Sequence, residues 1–378
     1  MNTGAAAPWG PTRGQEQLLD AALGPLASCA THFTAWRAGR TIEDIDNGSA
    51  RLLPLLMPRI AQLPAADPLL PVIRGYYRRS TWQAQLLRAR AAAVLARFAA
   101  ASIPSLVLKG GVLGASYYAH PGLRPMGDYD VLVPVARVRD AMRCLQDAGW
   151  TCSMAGQERL AAVFHSVGFA SSDGLQFDLH WHVLPEASDS DADALVWEAA
   201  EPFSVNGVPA LALAPADLLV VVCAHGVRWS PDLPLRWIAD ALTIIEHAGP
   251  RLDWLRVVRL AEAWHVVPHM RHALAYLAQR WNANIPPQVQ RDLSALLVPS
   301  LDVETFAFLS HPPGLADYVR RPWRRYRLRS RELSGWAALP GFVSYLKVTL
   351  GVASAWALPG EAIRRVVRWR RAASRGSN

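Results

Sequence analysis

Apolar positions in the first hundred residues recur at about the 3.6-residue spacing of a helix. The clearest run is 83–101, which is rich in Ala, Leu and Arg and has apolar side chains at 86, 87, 91, 94, 95 and 98. This periodicity predicts an N-terminal helical segment over residues 1–101. Nothing in this segment suggests a chemical role.

From residue 102 to residue 200 the pattern changes to short strands and turns that alternate with helices, which is typical of an α/β (α+β) core. It predicts a strand at 103–108, a helix at 112–118, a strand at 130–133, a helix at 135–148 and two strands at 163–170 and 175–183. The Ser-Ser-Asp-Gly turn at 171–174 joins the last two strands as a hairpin. The sheet is therefore expected to be mixed.

Residues 201–378 are predicted to form a large C-terminal helical region with a basic tail. Helices are expected at 216–225, 235–247, 253–265, 270–281 and 287–297, with Pro and Gly at the joints. The linkers are short, at 186–193 and 312–314. The predicted organisation is thus an α/β core with a mixed sheet between two helical regions.

One apolar run, 336–360, is long enough to consider as a membrane span. Lys347, Pro340, Gly341 and Pro359 interrupt it, whereas a span needs about 20 nearly uninterrupted apolar residues. We expect no membrane span and interpret the run as a buried helical pair. Residues 1–9 lack a signal-peptide pattern, and the four cysteines contain no CxxC pair. These features favour a cytoplasmic protein without disulfides.

The charge of the chain is unevenly distributed. Of the 378 residues, 51% are hydrophobic and 19% charged, which is typical of a folded protein, and the net charge is +8. Residues 318–378 contain fourteen Lys and Arg against Glu332 and Glu361, so the rest of the chain is mildly acidic. The segment Arg320–Arg331 interleaves arginines with Trp323 and Tyr326. Three uses stay open: contact with a polyanion such as single-stranded RNA, a solvated or domain-contacting face, or an anionic membrane surface.

Carboxylates occur at strand spacing in two places. Residues two apart in a strand share a face, so Asp128 and Asp130 are expected to point into one pocket. The same rule places Asp178, His180 and His182 on one face of the later strand. If the two strands are neighbours, three carboxylates converge.

Three carboxylates in one pocket repel one another, so the arrangement requires cations. Hard oxygen ligands beside a phosphate favour Mg²⁺ or Mn²⁺. Two such ions would hold the attacking and leaving oxygens of an in-line displacement at phosphorus. The sequence therefore predicts a metal site at Asp128, Asp130 and Asp178.

A glycine turn precedes these carboxylates. Gly110 and Gly111 open a predicted helix, where backbone N–H groups and the positive helix end can bind a triphosphate. Lys109 and Arg124 would offset the charge of a departing pyrophosphate. Only Lys109 and Lys347 are lysines among the 39 basic residues, which suggests that the turn requires a compact ammonium.

The order Lys-Gly-Gly, Arg, Asp-x-Asp and a later strand Asp resembles the polymerase-β-type nucleotidyltransferase superfamily. Within it the chain is most similar to the uncharacterised bacterial nucleotidyltransferase family proteins and to the nucleotidyltransferase toxins of abortive-infection systems. The resemblance covers residues 104–182 and extends loosely to the run 217–240, which contains His225, Trp237 and Asp240. The turn departs from the superfamily in lacking a serine, and the third carboxylate follows Asp130 only after a long interval.

The resemblance implies that Asp128 and Asp130 bind the metals and that Asp178 completes the site, as a ligand or as the base toward an acceptor hydroxyl. The implied reaction moves a nucleoside monophosphate from a nucleoside triphosphate to that hydroxyl and releases pyrophosphate. A catalytically silent module that binds nucleotide or RNA, and a phosphotransferase using the same site, are the alternatives. The acceptor stays open among RNA, a protein, a peptide and a small molecule.

Several of these residues also have purely structural interpretations. Arg124 can form an ion pair with Asp128, and His180 and His182 are more often satisfied buried histidines than ligands. The triplet His265, His269 and His272 resembles a zinc site, but Pro268 interrupts the helix that would align it, which disfavours zinc.

Overall fold

The structure is a computed structural model and describes residues 7–152, 161, 163–188, 190–331, 333, 335–361 and 363–364. The first six residues and residues 365–378, the last part of the predicted basic tail, lie outside this description. One hydrophobic core extends from Trp9 to Leu293 and includes N-terminal helices, the sheet and C-terminal helices.

The described residues from 7 to 100 are mainly helical, as predicted. The helices are α1 (Arg13–Leu23), α2 (Cys29–Arg37), α3 (Asn47–Ala50) and α4 (Leu69–Ala100), with a 3-10 stretch at Leu53–Gln62. Thr12 begins α1 with a capping box to Gln15. The predicted helix at 83–101 is the second half of α4, whose buried side chains recur at helical spacing. This helix packs across the sheet against its central and edge strands.

The sheet is mixed, which confirms the predicted class. Its strands are β1 (Leu106–Val107), β2 (Asp128–Leu132), β3 (Thr151–Cys152), β4 (Ser166–Ala170), β5 (Gln176–His180), β6 (Glu201–Val205) and β7 (Val208–Ala212). Among the described residues their order is β3-β4-β5-β2-β1-β7-β6. The β4–β5 hairpin is antiparallel as predicted, whereas β2 and β5 are parallel. Helices α5 (Lys109–Ser116) and α6 (Val138–Asp147) connect the strands.

Two strands lie beyond residue 200, where the sequence placed the end of the core. The segments β6 and β7 form an antiparallel hairpin, and β7 pairs in parallel with β1. The turn between them is Asn206-Gly207, with both residues at positive φ. The sheet therefore extends to Ala212, and the division of the chain into three units stays a prediction.

The remainder is mainly helical, as predicted. Its helices are α7 (Ser190–Glu198), α8 (Pro215–Gly226), α9 (Arg236–Ala248), α10 (Trp254–Ala263), α11 (Val267–Trp281), α12 (Pro287–Ala295), α13 (Ser300–Leu309), α14 (Leu315–Arg329) and α15 (Leu339–Leu350). Helix α8 packs against α9, α10, α11 and α5. Through its contact with α5, this group of helices therefore packs against the element that begins with the glycine turn.

The apolar run near the C-terminus is not the buried helical pair that the sequence suggested. Trp336 is 87% exposed and Trp356 is 93% exposed, because the segment packs on α14 mainly through Ala338 and Tyr345. Within the described residues no single helix is long and apolar enough to cross a membrane, and the segments Trp336–Leu350 and Ala355–Glu361, bent by 66°, reach the required length and composition only together.

Candidate metal and nucleotide site

Two neighbouring strands place the carboxylates. In the parallel pair β2–β5, Asp130 lies opposite Asp178, Asp128 opposite Gln176 and Leu132 opposite His180. The alternation of strand side chains therefore places the polar residues of both strands on one face and Tyr129, Phe177 and similar apolar side chains on the other. The condition stated from the sequence, that the two strands are neighbours, is therefore met.

The closest group of possible metal ligands differs from the predicted metal site by one residue, with His180 in place of Asp128. Ligand atoms of Asp130, Asp178 and His180 all lie within 4.8 Å of one another, and His180 Nε2 is 3.0 Å from Asp130 Oδ1. Asp128 lies outside this group, two residues toward the start of β2 and opposite Gln176. The strand pattern had placed His180 on the same face as Asp178, although the sequence favoured a satisfied buried histidine there over a ligand. Asp128 as a metal ligand stays a prediction.

Two of the three carboxylates have no partner. Neither Asp128 nor Asp178 forms a hydrogen bond or an ion pair with the residues that the structure describes. Burial raises the pKa of both groups, and the negative charge of Asp130 raises it further. This is the unfavourable electrostatic state that a bound cation would relieve.

Asp130 is the charged centre of the cluster. Burial would raise its pKa, but Lys109 and the hydrogen bond from His180 outweigh burial and hold the pKa far below its usual range. Lys109 Nζ lies 3.4 Å from the same Oδ1 atom that His180 contacts. The second oxygen, Oδ2, is therefore free of these two contacts.

The site opens to solvent although protein surrounds it. Asp128 is exposed, Asp178 and Lys109 are half-buried, and Asp130 is buried. His225 of α8 is also exposed, and the nearby charge of Lys109 lowers its pKa well below the usual value, with burial contributing. The surrounding protein desolvates these groups, but water can still reach them. They therefore line a cleft.

The donor set fits a divalent cation. Asp128 and Asp178 offer carboxylate oxygens without competing partners, and the buried Nδ1 of His180 has no hydrogen-bond partner among the described atoms. Carboxylate oxygens favour Mg²⁺ and Mn²⁺, and His180 is placed to orient Asp130 through its other nitrogen.

The glycine turn lies directly beside the cluster. Helix α5 begins at Lys109, whose φ of +30° is unusual for a residue with a side chain. A Cβ at Gly110 would lie 2.8 Å from Nη1 of Arg124, and a Cβ at Gly111 would lie 2.6 Å from a methyl group of Val107. Both glycines are thus required by close packing. Their predicted role in binding phosphate stays a prediction.

Arg124 forms an ion pair with a residue other than Asp128. Its Nε and Nη2 donate to the two carboxylate oxygens of Asp240 at 2.9 and 2.8 Å, and both side chains are buried. Tyr118 donates a further hydrogen bond to Asp240. The pair with Asp128 considered from the sequence is therefore wrong. Burial lowers the pKa of Arg124, but Asp240 outweighs burial and raises the pKa, and the charge of Asp128 makes a smaller contribution in the same direction. Nη1 remains at the glycine turn.

The other histidines that the sequence singled out do not join the cluster. His182 Nδ1 lies 2.7 Å from Asp193 Oδ2, which matches the interpretation of a satisfied buried histidine. His265 contacts Asp302 and precedes α11, whereas His269 and His272 lie within that helix against Phe306. In the described part of the chain the three histidines form no metal-ligand group.

Sequence patterns did not indicate two other groups at the cleft. The ring of His165 lies 5.6 Å from that of His180, and burial lowers its pKa well below the usual value, followed by the charges of His180 and Arg228. Arg228 binds the buried carboxylate of Glu186. A lone His before a strand and a lone Arg after a helix carry no motif, so only the fold reveals them.

A nucleotidyltransferase-like protein of known structure is similar to this chain. Over 59% of its length, and over 96% of the other chain, the protein is similar to the crystal structure of an antigenic nucleotidyltransferase-like protein from Paracoccidioides brasiliensis, at 14% identity and a TM-score of 0.35. A likeness this distant supports no conclusion about function. None of the curated proteins matches the chain.

A family model described as "Uncharacterised nucleotidyltransferase" matches residues 49–282. The matched segment contains the glycine turn, Arg124, all three carboxylates and Asp240. It covers more than half of the chain, and it confirms the resemblance that the Lys-Gly-Gly and Asp-x-Asp motifs carried. The chain belongs to this nucleotidyltransferase family.

Proposed function

We propose that the protein is a metal-dependent nucleotidyltransferase that transfers a nucleoside monophosphate from a nucleoside triphosphate to an acceptor hydroxyl. The observation that carries the proposal is the pairing of Asp130 with Asp178 across parallel strands, with Asp128 and Asp178 left without partners in the described structure. Carboxylates in this state are suited to divalent cations, and the adjacent Lys109 is suited to phosphate.

In this proposal Asp128, Asp130 and Asp178 hold Mg²⁺ or Mn²⁺, and His180 orients Asp130. The bound cations would lower the charge on the triphosphate and on the attacking oxygen. The acceptor oxygen bonds to the α-phosphorus, the bond from that phosphorus to the bridging oxygen breaks, and pyrophosphate leaves. Asp178 completes the site as a metal ligand or, where it holds no cation, as the base that takes the hydroxyl proton, since it lies half-buried in the same cleft.

The glycine turn supplies the triphosphate contacts. Lys109 is 19% exposed and so can reach a ligand from its place beside Asp130. Arg124 has two nitrogens committed to Asp240, and its Nη1 lies at Gly110. We therefore assign Arg124 chiefly to positioning the turn, with Nη1 as its one nitrogen available to phosphate.

Product analysis tests the reaction type. We expect that protein incubated with Mn²⁺, cell extract and ATP labelled at the α-phosphorus labels an acceptor, while ATP labelled at the γ-phosphorus yields labelled pyrophosphate. Parallel reactions with the other nucleoside triphosphates identify the preferred base. Transfer of the γ-label with formation of ADP would identify a phosphotransferase instead, and nucleotide binding without either product would identify a silent module.

Lys109→Ala is expected to weaken binding of a non-hydrolysable ATP analogue about tenfold or more, because a charge-assisted contact to phosphate is lost. Lys109→Arg should restore only part of the affinity, since a planar fork replaces a compact ammonium. The dissociation constant is measured by calorimetry in Mn²⁺.

Lys347→Ala is the matched control, because this is the other lysine of the chain and lies in α15. Its affinity for the analogue should equal that of the parent. If Lys109→Arg also binds like the parent, the requirement for an ammonium is wrong.

A further inference from the structure

Helix α14 lies outside the segment 49–282 that defines the family. It is fixed to the α/β core at its C-terminal end. Arg329 Nη1 donates to the carbonyl of Phe164 at 2.7 Å, and its Nη2 approaches His182 Nε2 at 3.5 Å. One turn earlier Tyr326 packs in a small apolar cluster with Val163. These contacts attach α14 to the segment that leads into β4.

That attachment brings the helix to the edge of the cleft. The residue after Phe164 is His165, whose ring lies 5.6 Å from the ring of His180. His180 belongs in turn to the cluster with Asp130 and Asp178. A cation on α14 one turn before Arg329 is therefore near the carboxylate site and not on a remote face.

Arg321, Arg325 and Arg329 follow one another at intervals of four residues, so they share one face of α14. Arg329 uses its guanidinium for protein contacts, whereas Arg321 and Arg325 are exposed and have no hydrogen-bond or ion-pair partner in the described part of the chain. The charge of Arg325 also reaches His165.

The positive charges of Arg321 and Arg325 repel each other. Although Arg325 is exposed to water, the protein around it partly desolvates its guanidinium and lowers its pKa, and the charge of Arg321 lowers the pKa further, with a smaller contribution from Arg228. Like charges one helical turn apart, with no carboxylate between them, are stabilised by an anion. Guanidinium groups bind phosphate with paired hydrogen bonds.

We propose that Arg325, assisted by Arg321, forms a phosphate-binding site at the edge of the carboxylate cleft. The site would lie outside the segment 49–282 that the family model matches. Its phosphate would belong either to the nucleoside triphosphate or to the acceptor. The source of the phosphate rests on the proposed function, whereas the phosphate-binding site itself does not.

The test uses inorganic pyrophosphate titrated into the full chain in EDTA, so that no metal contributes. We expect the parent to bind and Arg325→Ala to bind about tenfold more weakly, with an unchanged thermal midpoint because the side chain is exposed. Arg324→Ala is the matched control. It is adjacent in sequence, but its guanidinium lies over Phe308 and donates to the carbonyl of Glu304, and its affinity should equal that of the parent.

Equal affinity of Arg325→Ala and the parent, or no binding by the parent, would overturn the proposal. A second titration in Mn²⁺ with a saturating non-hydrolysable ATP analogue distinguishes the two sources. Loss of the Arg325-dependent binding assigns the site to the triphosphate, and its retention assigns the site to an acceptor phosphate. The substitution Asp178→Asn should not affect the titration in EDTA, so failure of the catalytic proposal and failure of this one give different results.

Discussion

Asp178→Asn is expected to reduce turnover by at least about 100-fold while leaving the metal-free protein as stable as the parent or more stable. The loss follows because the substitution removes a metal ligand and the proposed base. The stability follows because Asp178 has no partner to lose among the described residues and repels Asp130 and Asp128. Asp130→Asn should reduce both activity and stability, since Lys109 and His180 would each lose a charged partner.

The two effects are measured separately. Transfer of label from the α-phosphorus reports turnover, and the thermal midpoint is recorded in EDTA and in Mn²⁺. A ligand at 100 times its dissociation constant stabilises the folded state by about 2.7 kcal/mol. The parent should gain stability in Mn²⁺, and Asp178→Asn should gain much less. An active Asp178→Asn variant, or one stabilised by Mn²⁺ as strongly as the parent, would remove Asp178 from the site.

Strand alternation explains why the carboxylate site could be predicted from the sequence. Side chains alternate between the two faces of a strand wherever the strand begins. Asp128 and Asp130 were therefore assigned to one face, although β2 starts two residues before the predicted strand. The parallel pairing of β2 with β5 requires tertiary structure, because the two strands are separated by α6, β3 and β4. From the sequence alone, the convergence of the three carboxylates could be predicted only on the condition that the two strands are neighbours.

The hairpin of β6 and β7 was missed although its signal is present. Asn206-Gly207 is the preferred two-residue turn of a hairpin, and apolar residues flank it on both sides. The neighbouring helical pattern from residue 216 drew residues 201–212 into the helical region. The turn chemistry was the better guide at this position.

Partners of charged residues were the least predictable feature. Arg124 and Asp240 are 116 positions apart, and local patterns favoured the nearer Asp128. The basic segment Arg320–Arg331 shows the same limit. Arg329 and Arg331 bind protein groups, while Arg320, Arg321 and Arg325 are exposed, so the segment combines a domain-contacting use with free cations. Whether those cations contact RNA stays a prediction.

Asp240→Ala is expected to destabilise the fold by about 3–5 kcal/mol, because it leaves the charge of Arg124 buried without its partner. Arg236 is close by, and burial together with the charge of Arg124 lowers its pKa to about 10. Without Asp240 these two guanidinium groups would repel each other without a counter-charge. Tyr118 would also lose its hydrogen-bond acceptor. Urea denaturation gives the free energy of unfolding.

The matched control is Asp173→Ala, which breaks the pair with Arg90 at side chains that are 36% and 54% exposed. Such a surface pair contributes about 1 kcal/mol or less. Replacing both partners, as Arg124→Met with Asp240→Leu, should recover much of the stability that Asp240→Ala loses, since no unpaired charge is then buried. The double variant should still bind nucleotide poorly, because Arg124 no longer supports the glycine turn at Gly110. If Asp240→Ala costs no more than Asp173→Ala, the buried pair does not hold this part of the site together.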